Sequence, residues 1–341
     1  MEDKIIVAVD GMGGDNAPYE IVKGCIEAVR LQPNIHVKLV GPEELMRSEL
    51  QKFDGNNENI EIVNATEVIS CDEAPVNAIR RKKDSTIVVG CNLVKKGEAD
   101  AFLSAGSTGA ILVGGQLIVG RIKGVERPPI GTMFPTAKGV SLLVDSGANV
   151  DARASHLVQF AKMGSIYFGN TMGVEKPRVA IVNIGLEEEK GNQLVKETYP
   201  LLKECKDINF IGSIEAREIP NGYADVIVCE GFVGNVILKL YEGTTKALIG
   251  IVKKSFHSSL KSKIGGLLVK PALKSTLKKL MADEYGSAPL LGLNGLVLKT
   301  HGSATAKEVK NSLLQALDFK KQKINEKIKE TITINDSLEE L

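Results

Sequence analysis

The chain has 341 residues, 43% of them apolar and 25% charged, with a formal net charge of +1. That length suits one large or two medium α/β units with a sizeable core, and the neutral balance excludes a general affinity for nucleic acid, so an anionic partner has to be met by a local patch. Five cysteines, Cys25, Cys71, Cys91, Cys205 and Cys229, stand singly with no C-x-x-C pair and no histidine at zinc-ligand spacing, which argues against a metal site and reads as buried thiols in a reducing compartment.

The N-terminus, MEDKIIVAVDG, lacks the apolar core of a signal peptide, and no run reaches the roughly 20 apolar residues that span a bilayer. A cytoplasmic protein is expected. Short β-branched runs then recur with helical patterns between them, at 5–10, 36–41, 60–65, 100–106, 139–147, 178–185, 208–213 and 224–231. Near-continuous apolar strands separated by helices predict a mostly parallel sheet covered on both faces.

Five of these strands run into small or polar residues: VDGMGGDN, LSAGSTG, VDSGANVD, VNIGLEEEKGN and VCEGFVGN. In open α/β sheets ligands bind beyond the carboxyl ends of strands, where helix N-termini present amides. One glycine-rich turn is only a tight loop, but five suggest a shared site.

After VCEGFVGN, apolar residues at helical spacing run toward Met281, with a break at IGGLLVKP, and predict a long helix, a turn and a second helix. Residues 246–282 carry nine lysines and no acidic residue. At the expected tip, Ile264, Leu267, Leu268 and Val269 are flanked by Lys261, Lys263 and Lys270, a pattern suited to an anionic lipid surface or an acidic protein; the alternative is a tip packed on a second subunit. A capping box at Thr305–Glu308 opens a final helix carrying Val309, Leu313, Leu317, Ile324 and Ile328 along one face, and beyond about Lys329 the acidic end reads as frayed. The expected organisation is a single α/β domain over 1–330, with 246–282 a docking hairpin and 331–341 a tail.

Two familiar motifs nearly fit. The opening loop lacks the third glycine of a dinucleotide fingerprint, having Asn16 there. AGSTG places Ser107 as in a nucleophile elbow, but Ala105 replaces the first glycine. Of the four histidines only His301, in KTHGS, is placed for chemistry. The loops do share donors suited to an anion: Ser104, Gly106, Ser107, Thr108 and Gly109 before one helix, Gly231 and Gly234 before another. Phosphate is the natural occupant.

VDGMGGDNAP, SAGSTGA, GRIKGVERP, DSGANVD, NIGLEEEKGN, EGFVGNVILKLYEG and APLLGLNG followed by HGS, in this order, resemble the bacterial phosphate acyltransferase family, PlsX, from about residue 5 to residue 325. The resemblance implies a three-layer α/β/α fold like that of phosphotransacetylases and isopropylmalate dehydrogenases. It implies attack of inorganic phosphate on the thioester of fatty acyl-acyl carrier protein, giving acyl phosphate for phospholipid synthesis. It also implies a homodimer, peripheral on the anionic membrane, that feeds a glycerol-3-phosphate acyltransferase. No cofactor or metal is implied beyond the 4'-phosphopantetheine that arrives on the carrier.

With phosphate as nucleophile, the protein need only hold, orient and neutralise. Lys190, Asn192 and Asn235 are the candidates for stabilising the developing oxyanion, and His301 or Lys190 for assisting the leaving thiol. Asp10 is expected to orient other groups and Asp15 to cap a helix. Gly13, Gly14, Asn16 and Asn149 join Ser104–Gly109, Gly231 and Gly234 as phosphate or substrate contacts, the glycines letting main chain approach closely. Three positions depart from the family pattern: Gly11 where alanine is usual, Ser107 where asparagine is usual, and Glu230 where aspartate is usual. A serine hydrolase using Ser107 and a non-catalytic membrane scaffold are the rival readings.

Overall fold

A computed structural model describes residues 4–53, 58–279 and 286–339, with 274–279 and 333–339 described by backbone only. The first half of the chain runs β1 (Ile5–Asp10), α1 (Tyr19–Leu31), β2 (Ile35–Gly41), α2 (Glu43–Gln51), β3 (Ile60–Asn64), α3 (Pro75–Arg81), α4 (Thr86–Lys95), β4 (Ala101–Ser104) and α5 (Thr108–Gly114). Then come β5 (Gly131–Thr136), β6 (Gly139–Val144), α6 (Ala154–Met172), β7 (Arg178–Asn183), α7 (Gln193–Glu204), β8 (Asn209–Glu215) and β9 (Val226–Val228). The remainder is α8 (Gly231–Phe256), α9 (Leu260–Lys279), β10 (Ala288–Leu290), β11 (Leu296–Lys299), α10 (Ala306–Lys321) and α11 (Ile324–Glu339).

The apolar runs do form parallel strands; the inner ones, such as β1, β4, β7 and β9, are buried on both faces, while the edge strands β3 and β8 stay largely part-exposed. The strands divide between two sheets, ordered β10-β11-β4-β1-β2-β3 and β5-β6-β9-β7-β8. In each, one edge strand, β10 or β5, is antiparallel. These two edges meet, with an isolated antiparallel bridge from Ile130 to Leu290. One core continues beneath both sheets, from Val7 and Leu103 to Leu142, Val144 and Val228. Strands β5, β10 and β11 were not expected: β5 carries Pro135, and the other two have only three and four residues, too short to show a period.

Two helical regions differ from expectation. The turn between α8 and α9 falls at His257–Ser259, where the Ser259 hydroxyl accepts from the Ser262 amide at 3.1 Å and opens α9. The Ile264–Val269 segment lies inside α9, and Gly266 serves packing: a Cβ there would stand 2.9 Å from the Phe256 ring of α8. Residues 280–282 of the expected hairpin lie outside the described residues. At the C-terminus the capping box forms, with the Thr305 amide donating to Glu308 at 2.7 Å. The helix then breaks at Lys323, whose φ is 53°. Up to Glu339 the expected fray is instead α11, in which Ile324, Ile328 and Ile332 recur every four residues and are buried, and residues 340 and 341 of the expected tail lie outside the described residues.

Candidate active site

The parallel strands bring two loop clusters to their carboxyl ends, one per sheet. In the first, β4 is flanked by β1 and β11, and register places Lys299 of β11 opposite Ser104 of β4, one step beyond the Val9–Leu103 pair of β1 and β4. Asp10 ends β1 and is 1% exposed. Its Oδ2 accepts from the Ser104 hydroxyl at 2.6 Å, its Oδ1 accepts from the Met12 amide at 3.1 Å, and Thr86 of α4 also bonds it. Burial raises the Asp10 carboxyl above the ordinary aspartate range, and these hydrogen bonds oppose the rise. The Ser104 hydroxyl in turn accepts from the Gly106 amide at 2.9 Å.

The opening loop closes over this row. Gly13 lies so near that a Cβ would meet Asp10 Oδ2 at 2.6 Å and the Gly106 nitrogen at 2.8 Å. Gly14 takes φ +92° against the Gly302 carbonyl, a backbone state that a side chain would strain. The Asp15 amide donates to Gly302 O at 2.7 Å, and Asn16 Nδ2 donates to the carbonyls of Ser303 and Ala304 at 3.0 and 3.2 Å. Thus Asp10, Gly13, Gly14, Asn16, Ser104, Gly106 and the 301–304 loop are brought together. Asp15 does not cap α1, whose N-cap is Pro18 without a side-chain bond. His301 is exposed; its Nδ1 accepts from the Ser303 amide at 3.3 Å, leaving Nε2 as the donor in the neutral ring.

Ser107 is the N-cap of α5. Its buried hydroxyl accepts from the Ala110 amide at 3.4 Å, a capping role that accounts for a small polar residue there. Thr108 opens α5 at the surface, and Gly109 packs where a Cβ would fall 2.5 Å from Pro75 Cγ.

The second cluster is organised by a residue that the sequence reading passed over. Asp145 follows β6 and is fully buried. Its Oδ1 accepts from the amides of Ile130, Gly147 and Ala148 at 2.9, 3.2 and 3.0 Å, and its Oδ2 accepts from the Asn149 amide and Nδ2 at 2.7 and 2.8 Å. Burial raises its pKa too, opposed by this ring of donors. The same strand-ending Val-Asp pair precedes a glycine-rich loop at β1 and at β6, a repetition that could have exposed Asp145. Asn149 is committed inward: Nδ2 also donates to the Pro128 carbonyl at 3.0 Å. It supports the loop.

The N-terminus of α8 docks on this loop, and its amides are occupied. Gly231 N donates to Asn149 O at 2.7 Å, Phe232 N and Val233 N donate to the Glu230 carboxylate, and Gly234 N donates to Glu230 O. The expected phosphate cradle at Gly231 and Gly234 therefore gives way to a carboxylate cap. The glycines serve close approach, since a Cβ on Gly234 would fall 1.9 Å from Asp145 O. Asn235, one residue on, is exposed and lies against Gly147.

Lys190 and Asn192 stand on the β7–α7 loop, both exposed. Asn192 caps α7, accepting from the Val195 amide at 2.9 Å. Lys190 contributes backbone contacts, its carbonyl accepting from Asn183 Nδ2 at 3.3 Å. The contacts of both residues found among the described residues stay within the second sheet's own loops and helix.

Lys299 was also missed, because one lysine among 43 basic residues carries no signal. It ends β11 half-buried, and Nζ donates to the Thr300 carbonyl. Burial lowers its ammonium to about 8; Lys239 of α8 pushes the same way, while Cys71 and Asp15 oppose. A charge on α8, the helix that begins at the second cluster, is thus felt at the end of the first sheet. Ala148 of the Asp145 loop likewise packs on the core beneath the first sheet, so the two clusters border one another. The cysteines are all free; Cys25, Cys91 and Cys229 are buried as expected, but Cys71 is exposed and Cys205 half-buried.

Comparison with known proteins completes the assignment. Residues 5–327 match the family described as fatty acid synthesis protein. The chain is 50% identical over 327 residues to the phosphate acyltransferase of Alkaliphilus oremlandii, covering 96% of this chain and 97% of that protein. It is 48% identical over 324 residues to the phosphate acyltransferase of Clostridium acetobutylicum, covering 95% and 98%. In fold it resembles a phosphotransacetylase from Streptococcus pyogenes, with a TM-score of 0.63 at 16% identity over 92% of this chain and 93% of the other. An α/β body of this architecture, with sequence similarity running almost end to end, places the chain in the fatty acid synthesis protein family, the PlsX family of acyltransferases.

Proposed function

We propose that this protein transfers a fatty acyl group from the thioester of acyl carrier protein to inorganic phosphate. A phosphate oxygen bonds to the carbonyl carbon, the carbon–sulfur bond breaks, and the proton lost by the hydrogen phosphate is gained by the carrier thiolate. Phosphate, with a second pKa of about 6, is largely dianionic at neutral pH and requires no activated protein nucleophile. The observation that carries this reading is the meeting of two polar strand-end clusters in a chain about half identical to proteins named phosphate acyltransferases.

In this reading Asp10 fixes the Ser104 hydroxyl and the 104–106 loop. Asn235 and Lys190, exposed around the second cluster, approach the carbonyl oxyanion, and His301 Nε2 assists the leaving sulfur. Each well-aimed donor to an oxyanion contributes about 3 kcal/mol to the transition state. The role of Ser107 as a buried N-cap argues against a serine hydrolase.

The α8–α9 hairpin docks the protein. Ile264, Leu267, Leu268 and Val269 are exposed among Lys261, Lys263 and Lys270, which suits an anionic membrane surface or an acidic carrier. No helix among the described residues is long and apolar enough to cross a membrane. Exposed Val236, Leu240, Leu248 and Ile251 on α8 suit burial against a second copy, and product passes to a glycerol-3-phosphate acyltransferase at the membrane. The test is release of free carrier from fatty acyl-acyl carrier protein by purified protein. Release should require phosphate and should scale with it; an equal rate without phosphate rejects the proposal.

A further inference from the structure

The segment GRIKGVERP, residues 120–128, has no part in the chemistry proposed above, yet the fold holds it firmly. The Ile122 amide donates to Gly292 O at 3.0 Å, the Glu126 amide donates to Gln159 Oε1 at 2.9 Å, and Gln159 Nε2 returns a bond to Gly124 O at 2.9 Å. The Glu126 carboxylate accepts from the Ser155 hydroxyl at 3.2 Å and from His156 Nε2 at 3.0 Å, while His156 Nδ1 accepts from the Arg153 amide at 3.1 Å. The Arg121 guanidinium donates to the Glu126 carbonyl. Beyond Arg127, the Pro128 carbonyl and the Ile130 amide bond Asn149 and Asp145. The segment and the first turn of α6 are thus stapled into one piece that borders the second cluster.

The staple gathers four exposed cations: Arg121, Lys123 and Arg127 on the segment and Arg153 at the start of α6. Among the described residues none of the four has a carboxylate within 4.0 Å. The acidic residues on these segments are Glu126, turned to Ser155 and His156, and exposed Asp151, so the surface is basic on balance. Leu117, just before Arg121, and Val150, just before Arg153, are 59% and 57% exposed and add apolar contact. Cation type separates this face from the hairpin, where residues 246–282 hold nine lysines and no arginine. Arginine forks bind carboxylates bidentately and are enriched at protein interfaces, whereas lysine is a strongly hydrated point charge. Carboxylates on a protein are therefore the better match here than a lipid surface, and a backbone held in place beforehand lowers the cost of docking.

Resting on the function proposed above, we infer that Arg121, Lys123, Arg127 and Arg153 form the docking face for the acidic surface of the acyl carrier protein, leaving the lysine hairpin to the membrane. A carrier seated there starts its thioester arm beside Pro128 and Asn149, at the edge of the second cluster.

The experiment compares wild type, Arg127→Glu/Arg153→Glu, Arg127→Lys/Arg153→Lys and the hairpin variant Lys261→Glu/Lys263→Glu. Turnover is measured against fatty acyl-acyl carrier protein and against phosphate, and binding by the anisotropy of dye-labelled carrier without an acyl chain. Reversing both arginines should raise the carrier KM and Kd at least about tenfold, with kcat and the phosphate KM within about twofold, since like charges would then face each other across the interface. The lysine pair keeps the charge and should cost no more than about threefold. Wild-type affinity should fall as salt rises, and fall less steeply in the glutamate variant. The hairpin variant should keep its carrier KM within about twofold and lose flotation with anionic liposomes. The glutamate variant should float and should elute from a sizing column as wild type does. Unchanged carrier KM and Kd in the glutamate variant overturn the inference, as does a loss of carrier affinity in the hairpin variant instead. It is also overturned if the glutamate variant loses flotation or changes its oligomeric state while binding carrier normally, because the face would then serve lipid or a second copy. Carrier binding that depends on these arginines, with turnover that ignores phosphate, rejects the proposed reaction and supports the docking face.

Discussion

Two aspartates stand at strand carboxyl ends, Asp10 as the last residue of β1 and Asp145 just after β6, and they are held in different ways. Asp145 accepts from four main-chain amides, which cannot reverse, and from the Asn149 side-chain amide, which its second bond to the Pro128 carbonyl holds in the same sense. Asp10 faces the main-chain amides of Met12 and Gly13 and also the hydroxyls of Ser104 and Thr86, and hydroxyls can turn from donor to acceptor. The first carboxylate is therefore a structural knot that fixes the loop on which α8 docks. The second sits in a row whose polarity can adjust, beside Lys299, and is the better placed for chemistry. The Val-Asp pair alone does not distinguish these fates; the nature of the partners does.

The sharpest way to break this comparison is an isosteric substitution at both positions. In Asp145→Asn one amide group must point at donors whichever way it turns, so unfolding free energy should fall by about 3–5 kcal/mol in urea melts. Asp10→Asn can donate to the Ser104 hydroxyl and should lose only about 1 kcal/mol, while phosphate-dependent turnover falls more than about tenfold, as for loss of a positioning group. Equal stability losses would remove the distinction.

The row beside Asp10 can be probed by pH. Lys299 titrates near 8 in the folded chain against 10.5 for an unperturbed lysine. Between those values the unfolded chain binds more protons, so wild-type stability should rise with pH relative to Lys299→Met, by on the order of 3 kcal/mol. Asp15, Cys71 and Lys239 remain in both proteins and cancel in the difference to first order. Parallel stability profiles from pH 8 to 10.5 would show that the lysine is not buried as described.

The smallest stability effect is expected farthest from both clusters. Leu267 and Leu268 are 71% and 77% exposed, so changing both to aspartate should shift stability by no more than about 0.5 kcal/mol. Flotation with anionic liposomes should be lost in the same variant, with turnover in detergent retained. Persistent flotation would assign docking to another face.

Much of the α/β body was legible because buried parallel strands are long apolar runs that need no partner to be recognised. Strands β5, β10 and β11 were not, since their pairing comes from the meeting of two sheets rather than from their own pattern. Gly265–Gly266 read as a turn by composition, yet Gly266 admits the Phe256 ring; a glycine's neighbours across space are invisible in sequence. The loops that gather Asp10, Ser104 and Gly106 were legible from glycine spacing. Asp145, Lys299 and the capping roles of Ser107, Asn192 and Glu230 were not, because each depends on which donors and charges the fold places around the residue.

The claim on which these expectations converge is that phosphate itself is the nucleophile. Turnover with phosphate labelled by 18O at all four oxygens tests it most directly. Mass spectrometry should find acyl phosphate that retains all four labelled oxygens and appears in proportion to the free carrier thiol. Free fatty acid carrying an oxygen from solvent, formed at the same rate with or without phosphate, would contradict it.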